Sequence, residues 1–170
     1  MMRKLADSAK VCHVEISPKL RAELGPQRLA VLVEGATEPP FHNEHWNRHE
    51  MGIYLDALDG TPLFASAAKY DSGTGWPSFW APLDPELLEL VEDRSHGMRR
   101  IEVRAKKSGG HLGHLFDDGP PPSGQRYCLN SASLRFVPLA ELVGAGLGSL
   151  AALFGTEPLH EGPENTIVEP

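Results

Sequence analysis

The sequence predicts a mainly β domain of the α+β kind, with short helices confined to its N-terminal part. The chain of 170 residues contains 17 Gly and 15 Pro, a composition typical of an architecture rich in loops and turns. Beyond Gly52, apolar and polar residues alternate in several short segments, as strands with one buried face require. Helical spacing is confined to the stretch from Ser17 to Val33. One domain of this length can bury a core without disulfide bonds.

The helical stretch begins with a capping signal. Ser17 is a favourable N-cap, and Pro18 fits the first turn of a helix. Leucines at positions 20, 24, 29 and 32 keep helical spacing on both sides of the Gly25-Pro26 pair. The pattern predicts two short helices joined by a turn, ending at Pro39-Pro40.

Most of the strands are expected after Gly52. Residues 52–66 predict a hairpin that turns at Asp59-Gly60, and residues 70–82 predict a loop that presents aromatic side chains. Residues 85–93 fit a short helix or a strand. Alternation predicts strands within 98–108, 111–118 and 126–139, and it places Cys128 near the end of the sheet.

Composition also restricts the partners. The net charge of −7 and the sequence pI of about 5.6 argue against a nucleic-acid footprint, which requires clustered basic residues. The first 17 residues lack the apolar stretch of a secretory signal, and no segment is apolar enough to span a bilayer. We therefore expect a cytoplasmic monomer that binds neither nucleic acid nor membrane.

The two cysteines, Cys12 and Cys128, are too few for a disulfide scaffold or a four-cysteine zinc site. Cys128 lies between Arg126 and Asn130, and a nearby cation favours the reactive thiolate. The alternative is a small, buried and unreactive residue on a strand.

His111 and His114 are three residues apart, a spacing that sends side chains to opposite faces of a regular strand. A bulge at Gly113 would bring both imidazoles to one side. We favour roles in hydrogen bonding or proton donation over a metal pair. Trp76, in a Gly-rich loop, is either a core residue or a flat wall for a methyl–sulfur group.

Several segments together carry a family resemblance. GATEPPF, GIYLDALDGTPLF, KYDSGTGWPSF and HLGHLFDDGPPPSGQRYCLNSASLRF resemble the B class of methionine sulfoxide reductases, from Ser17 to Pro138. The resemblance implies two antiparallel sheets, a small open barrel-like core and short N-terminal helices. It divides the chain into an N-terminal extension, 1–16, a reductase domain, 17–138, and a C-terminal extension, 139–170. We expect the last extension to be partly disordered, and its Leu-rich and Gly-rich part, 139–155, to be helical if regular at all.

The resemblance also implies an activity and a site. The activity is thiol-dependent reduction of methionine-R-sulfoxide, mainly in proteins, as repair after oxidative damage, with no cofactor. The implied catalytic residues are the nucleophile Cys128, the imidazoles as proton donors, and two neighbours of the thiol; they are Cys128, His111, His114, Arg126 and Asn130. The expected substrate-binding residues are Trp76 and Phe116.

Two departures from the family pattern affect these expectations. Many members hold zinc with two Cys-x-x-Cys pairs, but the matching residues here are Asp56, Asp59, Ala105 and Ser108, so we predict a zinc-free form. Thr74 stands where members often carry a resolving cysteine. Either Cys12 resolves the oxidised Cys128, or an external thiol such as thioredoxin does.

Two other classes remain open from the sequence. A non-catalytic β-sheet module could keep the aromatic pocket and bind a small ligand or a peptide. A cysteine–histidine hydrolase would use the same nucleophile, but the sequence offers no evidence of the oxyanion site that acyl transfer needs.

Overall fold

The computed structural model describes residues 14–155 of the chain. It contains one kinked helix, nine strands and several 3-10 turns within those residues. The helix is α1, Pro18–Glu34, and the strands are β1, Gly52–Asp56; β2, Pro62–Ala65; β3, Lys69–Tyr70; β4, Ser78–Phe79; β5, Leu88–Asp93; β6, Arg100–Ala105; β7, His111–Phe116; β8, Arg126–Leu129; and β9, Leu134–Pro138.

The strands form two antiparallel sheets, as predicted, and neither sheet closes into a barrel. The smaller sheet has the order β2-β1-β9 and the larger has the order β3-β4-β8-β7-β6-β5. The segment around Cys128 therefore contributes two strands, β8 and β9, and these belong to different sheets. The predicted aromatic loop likewise contains a short strand, β4, which pairs with β8.

The main core lies between the sheets. Aromatic side chains from both sheets meet there, and the rings of Tyr54, Phe64 and Phe79 lie 4.7–5.1 Å apart between centroids in neighbouring pairs. These three side chains are fully buried. Burial of each large aromatic residue contributes roughly 2–3 kcal/mol, so this contact dominates the pairing of the two sheets.

The segment after β9 covers the other face of the small sheet. Leu142 and Ala151 are buried against Ile53 and Leu55 of β1, which explains why every residue of β1 is buried. Instead of one helix, the segment forms 3-10 turns at Leu139–Glu141 and Gly148–Phe154. Packing therefore continues beyond Pro138 as far as Phe154. Residues 156–170 lie outside the described residues, so the expected partial disorder of the C-terminal extension stays a prediction.

The helix follows the predicted signals. The Ser17 hydroxyl accepts a hydrogen bond from Leu20 N at 3.1 Å, and Pro18 occupies the first turn. Gly25 has a φ of 78° and kinks the helix, which produces the two predicted helical segments. Leu24 and Leu32 pack on Leu58 in a separate small cluster. No helix within residues 14–155 is long and apolar enough to cross a membrane.

Two turns of the same kind pack together at the positions that the family resemblance aligns with zinc ligands. Gly60 N donates to Asp56 O in one turn, and Gly109 N donates to Ala105 O in the other. The Ser108 hydroxyl donates to Asp56 Oδ2 at 2.6 Å and joins the two turns. These residues do not fit a zinc site, because Ala105 has no ligand atom and Ser108 donates its proton to a carboxylate.

We predict that this junction makes stability depend on pH. Burial raises the pKa of Asp56 to about 6, against hydrogen bonds from Ser108 and Leu58 that lower it. The folded state thus holds the Asp56 proton more tightly than the unfolded state, and that contribution is lost as pH rises through about 6. Asp56→Asn removes the titrating proton, so its stability relative to wild type should rise by about 2–3 kcal/mol between pH 4 and pH 8.

Urea unfolding at several pH values measures this difference. Asp84→Asn is the matched control, because Asp84 also accepts from the backbone N–H two residues on but is exposed. A difference between Asp56→Asn and wild type that stays constant from pH 4 to pH 8 would contradict the prediction.

Candidate active site

One row of paired residues crosses five strands of the large sheet and defines the site. From β3 to β6 the row contains Tyr70, Ser78, Cys128, His114 and Glu102. Directly paired residues point to the same face, with Cβ atoms about 4.5–5.5 Å apart. The Cys128 thiol therefore lies between Ser78 on one side and His114 on the other, as the predicted constellation requires.

A bulge in β7 brings the second imidazole to this face. Val103 of β6 pairs with Gly113, whereas the next residue, Arg104, pairs with His111, so β7 carries one additional residue. The additional residue compensates for the odd spacing of the histidines. The rings of His111 and His114 meet edge to face, with centroids 5.7 Å apart and an interplanar angle of 68°. The bulge that the sequence left open is thus present, immediately before Gly113.

Each imidazole of β7 is bound by a carboxylate, which comes from the adjacent strand β6 for His111 and from β5, beyond β6, for His114. His111 Nδ1 lies 2.7 Å from Glu102 Oε2, and His114 Nε2 lies 2.7 Å from Asp93 Oδ2. Both pairs are largely shielded from solvent, with exposed side-chain fractions of 6–16%. Burial lowers the pKa of His114, and the hydrogen bond to Asp93 opposes that change.

A chain of hydroxyl groups lies beside the thiol. Ser72 Oγ is 2.8 Å from both Thr74 Oγ1 and Ser78 Oγ. Thr74 and Ser78 also contribute hydrogen bonds that lower the pKa of the Cys128 thiol. Thr74, at the position where members often have a second cysteine, therefore contacts the nucleophile with a hydroxyl.

The balance of effects on Cys128 differs from the predicted thiolate. Burial raises the pKa of the thiol above its ordinary value, and the Arg126 charge together with the hydrogen bonds from Thr74, Arg126 and Ser78 lowers it by less. The sulfur is thus held as a thiol at neutral pH, and Arg126 acts in the predicted direction without prevailing. Cys128 is the free cysteine of the described residues and is half-buried.

Arg126 also organises the edge of the site. Its Nε and Nη2 donate to the two oxygens of Asp118 at 2.8 and 3.1 Å. Its guanidinium carbon lies 4.2 Å above the centre of the Phe116 ring. One face of Phe116 is therefore covered by Arg126, and its role in binding substrate stays a prediction.

Trp76 and Asn130 are both fixed by the backbone of Glu38. The indole Nε1 of Trp76 donates to Glu38 O at 2.9 Å, and Asn130 Oδ1 accepts from Glu38 N at 3.0 Å. Asn130 Nδ2 donates to Leu112 O at 3.0 Å. The amide thus holds the loop at Glu38 against β7, and the place of Asn130 among the catalytic residues stays a prediction. Trp76 is half-buried, so part of the ring is available to a ligand.

The sequence reasoning missed Asp93, Glu102 and Glu38. Asp93 stands between Glu92 and Arg94, and Glu102 lies on a strand that alternates charged and apolar residues. Both patterns also suit a solvated face of a strand. Glu38 is buried, and its carboxylate accepts from the backbone N–H groups of Ser131 and Ala132. Its signal was a lone acidic residue before Pro39-Pro40, which gives no indication of these contacts. Cys12 lies outside the described residues, so the structure says nothing about the predicted resolving role.

A thiol beside two carboxylate-bound imidazoles, on one face of a β sheet, defines a cysteine-dependent enzyme. The family model of the SelR domain matches residues 24–138, which is more than half of the chain. The chain therefore belongs to the SelR domain family.

Two curated relatives illustrate this membership. The peptide methionine sulfoxide reductase MsrB of Thioalkalivibrio sulfidiphilus is 51% identical over 117 residues, which cover 69% of this chain and 85% of the relative. The peptide methionine sulfoxide reductase MsrA/MsrB of Vibrio cholerae is 47% identical over 136 residues, or 80% of this chain. The matched region is 36% of the Vibrio protein, so the chain spans about a third of that longer relative.

Proposed function

We propose that the chain is a peptide-methionine (R)-S-oxide reductase that repairs oxidised methionine in proteins. The observation that carries the proposal is the pairing of Cys128 with His114 across β7 and β8, with His111 beside it. Family membership and two relatives named as methionine sulfoxide reductases support the same activity. A non-catalytic binding module would not require this arrangement of thiol and imidazoles.

The net reaction transfers one oxygen atom. The Cys128 sulfur, once deprotonated, attacks the sulfoxide sulfur, while an imidazolium of the site protonates the sulfoxide oxygen. Attack forms a bond between the two sulfur atoms, and the protonated oxygen takes up a second proton and leaves as water. A water molecule then attacks Cys128, which breaks the sulfur–sulfur bond, releases methionine and one proton, and leaves Cys128 as a sulfenic acid. The substrate is reduced by two electrons and Cys128 is oxidised by two. Protonation is needed because the sulfoxide oxygen is otherwise a poor leaving group.

Substrate placement follows from the fixed aromatic residues. The Trp76 ring, held by Glu38, offers an apolar face to the substrate methyl group. Phe116 forms a second apolar surface beside Arg126. Cys128 is partly exposed, and we propose oxidised methionine in accessible protein segments, rather than the free amino acid, as the main substrate.

An epimer assay tests the activity. The protein is incubated with dithiothreitol and a peptide that contains both epimers of methionine sulfoxide, and each epimer is followed by chromatography. The R epimer should be consumed while the S epimer remains. Consumption of neither epimer would favour the binding module, and equal consumption of both would contradict the assigned stereochemistry.

Recycling requires a thiol that the described residues do not contain. Two thiols attack in sequence: the first forms a mixed disulfide with Cys128 and releases water, and the second releases reduced Cys128. Thr74 cannot be the first thiol, because a hydroxyl forms no disulfide. We propose an external dithiol of the thioredoxin kind as the reductant, reached in the cytoplasm either directly or through Cys12.

We predict that one turnover without reductant distinguishes these two routes. If Cys12 resolves the sulfenic acid, a disulfide between Cys12 and Cys128 lowers the protein mass by two hydrogens. If an external thiol is required instead, the sulfenic acid on Cys128 persists and is trapped by dimedone. Mass spectrometry of the peptide that contains Cys128 measures both products. If Cys12→Ser keeps the full thioredoxin-supported rate, the route through Cys12 is wrong.

A further inference from the structure

The two carboxylates at the imidazoles are held more firmly than the hydrogen bonds to histidine alone require. Glu102 uses Oε2 for His111 and accepts from Arg104 Nη2 at 2.8 Å with Oε1. Asp93 uses Oδ2 for His114 and accepts from Ser95 N at 2.9 Å with Oδ1. Both oxygens of each carboxylate are therefore engaged, and each carboxylate has one orientation.

Both carboxylates are ionised at neutral pH. Burial alone would raise the pKa of Glu102, but hydrogen bonds from His111 and Arg104 prevail and lower it to about 2. For Asp93, burial is likewise outweighed, and hydrogen bonds from Ser95 and His114 hold the pKa well below its ordinary range. An ionised carboxylate accepts hydrogen bonds and cannot donate them.

The protonated nitrogen of each ring follows from this. The nitrogen facing the carboxylate must carry hydrogen, so His111 carries it on Nδ1 and His114 carries it on Nε2. In their neutral forms the two rings would thus be opposite tautomers. His111 Nε2 is buried and has no hydrogen-bond partner within residues 14–155, and His114 Nδ1 has no protein partner in the same range.

We propose that Asp93 and Glu102 are positioning residues of the reductase reaction, which fix hydrogen on the carboxylate-facing nitrogen of His114 and His111, so that the opposite nitrogen of each ring carries the proton that the sulfoxide oxygen receives. This inference rests on the proposed function. The two carboxylates come from β5 and β6, strands that carry no part of the thiol segment. They act on the reaction through the imidazoles and do not touch the reacting atoms.

Nitrogen-15 NMR of the imidazoles in the resting protein tests the tautomers without turnover. One ring should show the shift pattern of an Nδ1–H tautomer and the other that of an Nε2–H tautomer, assigned with His111→Asn and His114→Asn. Two rings of the same tautomer, or rapid exchange between tautomers, would overturn the inference. Complete loss of R-epimer turnover in the wild type would instead overturn the proposed function, and the NMR result would still decide the geometry.

Kinetics of Asp93→Asn and Glu102→Gln test the catalytic consequence. Each variant keeps a hydrogen-bonding side chain of the same size but loses a carboxylate charge that the fold stabilises. The melting temperature should therefore fall, and the kinetics are measured at a temperature where each variant is folded. We expect kcat/KM for the R epimer to fall at least about tenfold, since an oriented proton donor contributes roughly 10²–10⁴-fold. The matched control is Glu92→Gln, because Glu92 neighbours Asp93 on β5 but is exposed and contacts Arg94 and Arg99. Unchanged kinetics in both Asp93→Asn and Glu102→Gln would overturn the inference.

The pH profile separates positioning from a purely structural role. The titratable and charged groups that face His114 are Asp93, Arg100, His111, Glu102 and Cys128. Of these, Asp93 supports a positive charge on His114 through its hydrogen bond. Removing the negative charge of Asp93 should lower the pKa of His114 further. The alkaline limb of kcat in Asp93→Asn should therefore move to lower pH. A limb that stays in place, with an unchanged kcat, would show that Asp93 only stabilises the fold.

Discussion

Replacing Cys128 by serine should lower kcat for the R epimer by about 10³-fold or more, because the hydroxyl oxygen cannot accept the oxygen of the sulfoxide. The side chain is half-buried between Ser78 and His114, and serine fits the same space. The fold should therefore be retained, with a change in stability of about 1 kcal/mol or less. Steady-state assays with dithiothreitol and thermal unfolding measure the two effects.

Cys12→Ser is the matched control for the loss of a thiol. With dithiothreitol as reductant, its initial rate should equal that of the wild type, since an external thiol reduces Cys128 directly. Turnover by Cys128→Ser above about one per cent of the wild-type rate would show that the oxygen is accepted elsewhere. That outcome would remove the basis of the proposed mechanism.

Gly113→Ala should damage both stability and activity. A Cβ atom at this position would lie 2.0 Å from Cys128 O and 2.9 Å from Leu129 Cα, so β7 and β8 would have to separate. Overpacking against backbone costs about 1–3 kcal/mol or more. The same separation moves Cys128 away from His114, and a displacement of about 1 Å in a catalytic site costs on the order of 10²-fold in rate.

Gly144→Ala is the control for the added methyl group. The nearest atom to a Cβ there is Glu141 O at 3.7 Å, an ordinary contact. Its stability and activity should stay close to those of the wild type. If Gly113→Ala unfolds at the wild-type urea concentration and keeps its kcat/KM, the close approach of β7 and β8 does not constrain the site.

Local sequence signals predict much of this fold. Alternation and turn residues indicate the hairpin of β1 and β2, and Ser17 with the Gly25-Pro26 pair indicates the kinked helix. The assignment of β8 and β9 to different sheets could not be derived in this way, because alternation reports the burial of a strand and not its partner. The 3-10 turns from Leu139 to Phe154 could not be predicted either, because their conformation depends on the packing of their apolar residues against β1.

The candidate site was predictable where one motif contains the chemistry. Cys128 and the two histidines stand in motifs of the family, and the structure contains the bulge that the sequence left open as the way to bring both imidazoles to one face. Asp93 and Glu102 were missed because their partners lie on other strands, 21 and 9 residues away in the chain. The state of the thiol depends on burial, which no local pattern gives.

The position of Asp93 links enzyme activity to local unfolding. Asp93 is the last residue of β5, which within residues 14–155 pairs with a strand on one side only, namely β6. Fraying of such a terminal strand requires less free energy than global unfolding, and it would withdraw the carboxylate from His114. Heat inactivation should therefore precede the cooperative melting of the two sheets, and amide hydrogen exchange in β5 should be faster than in β8.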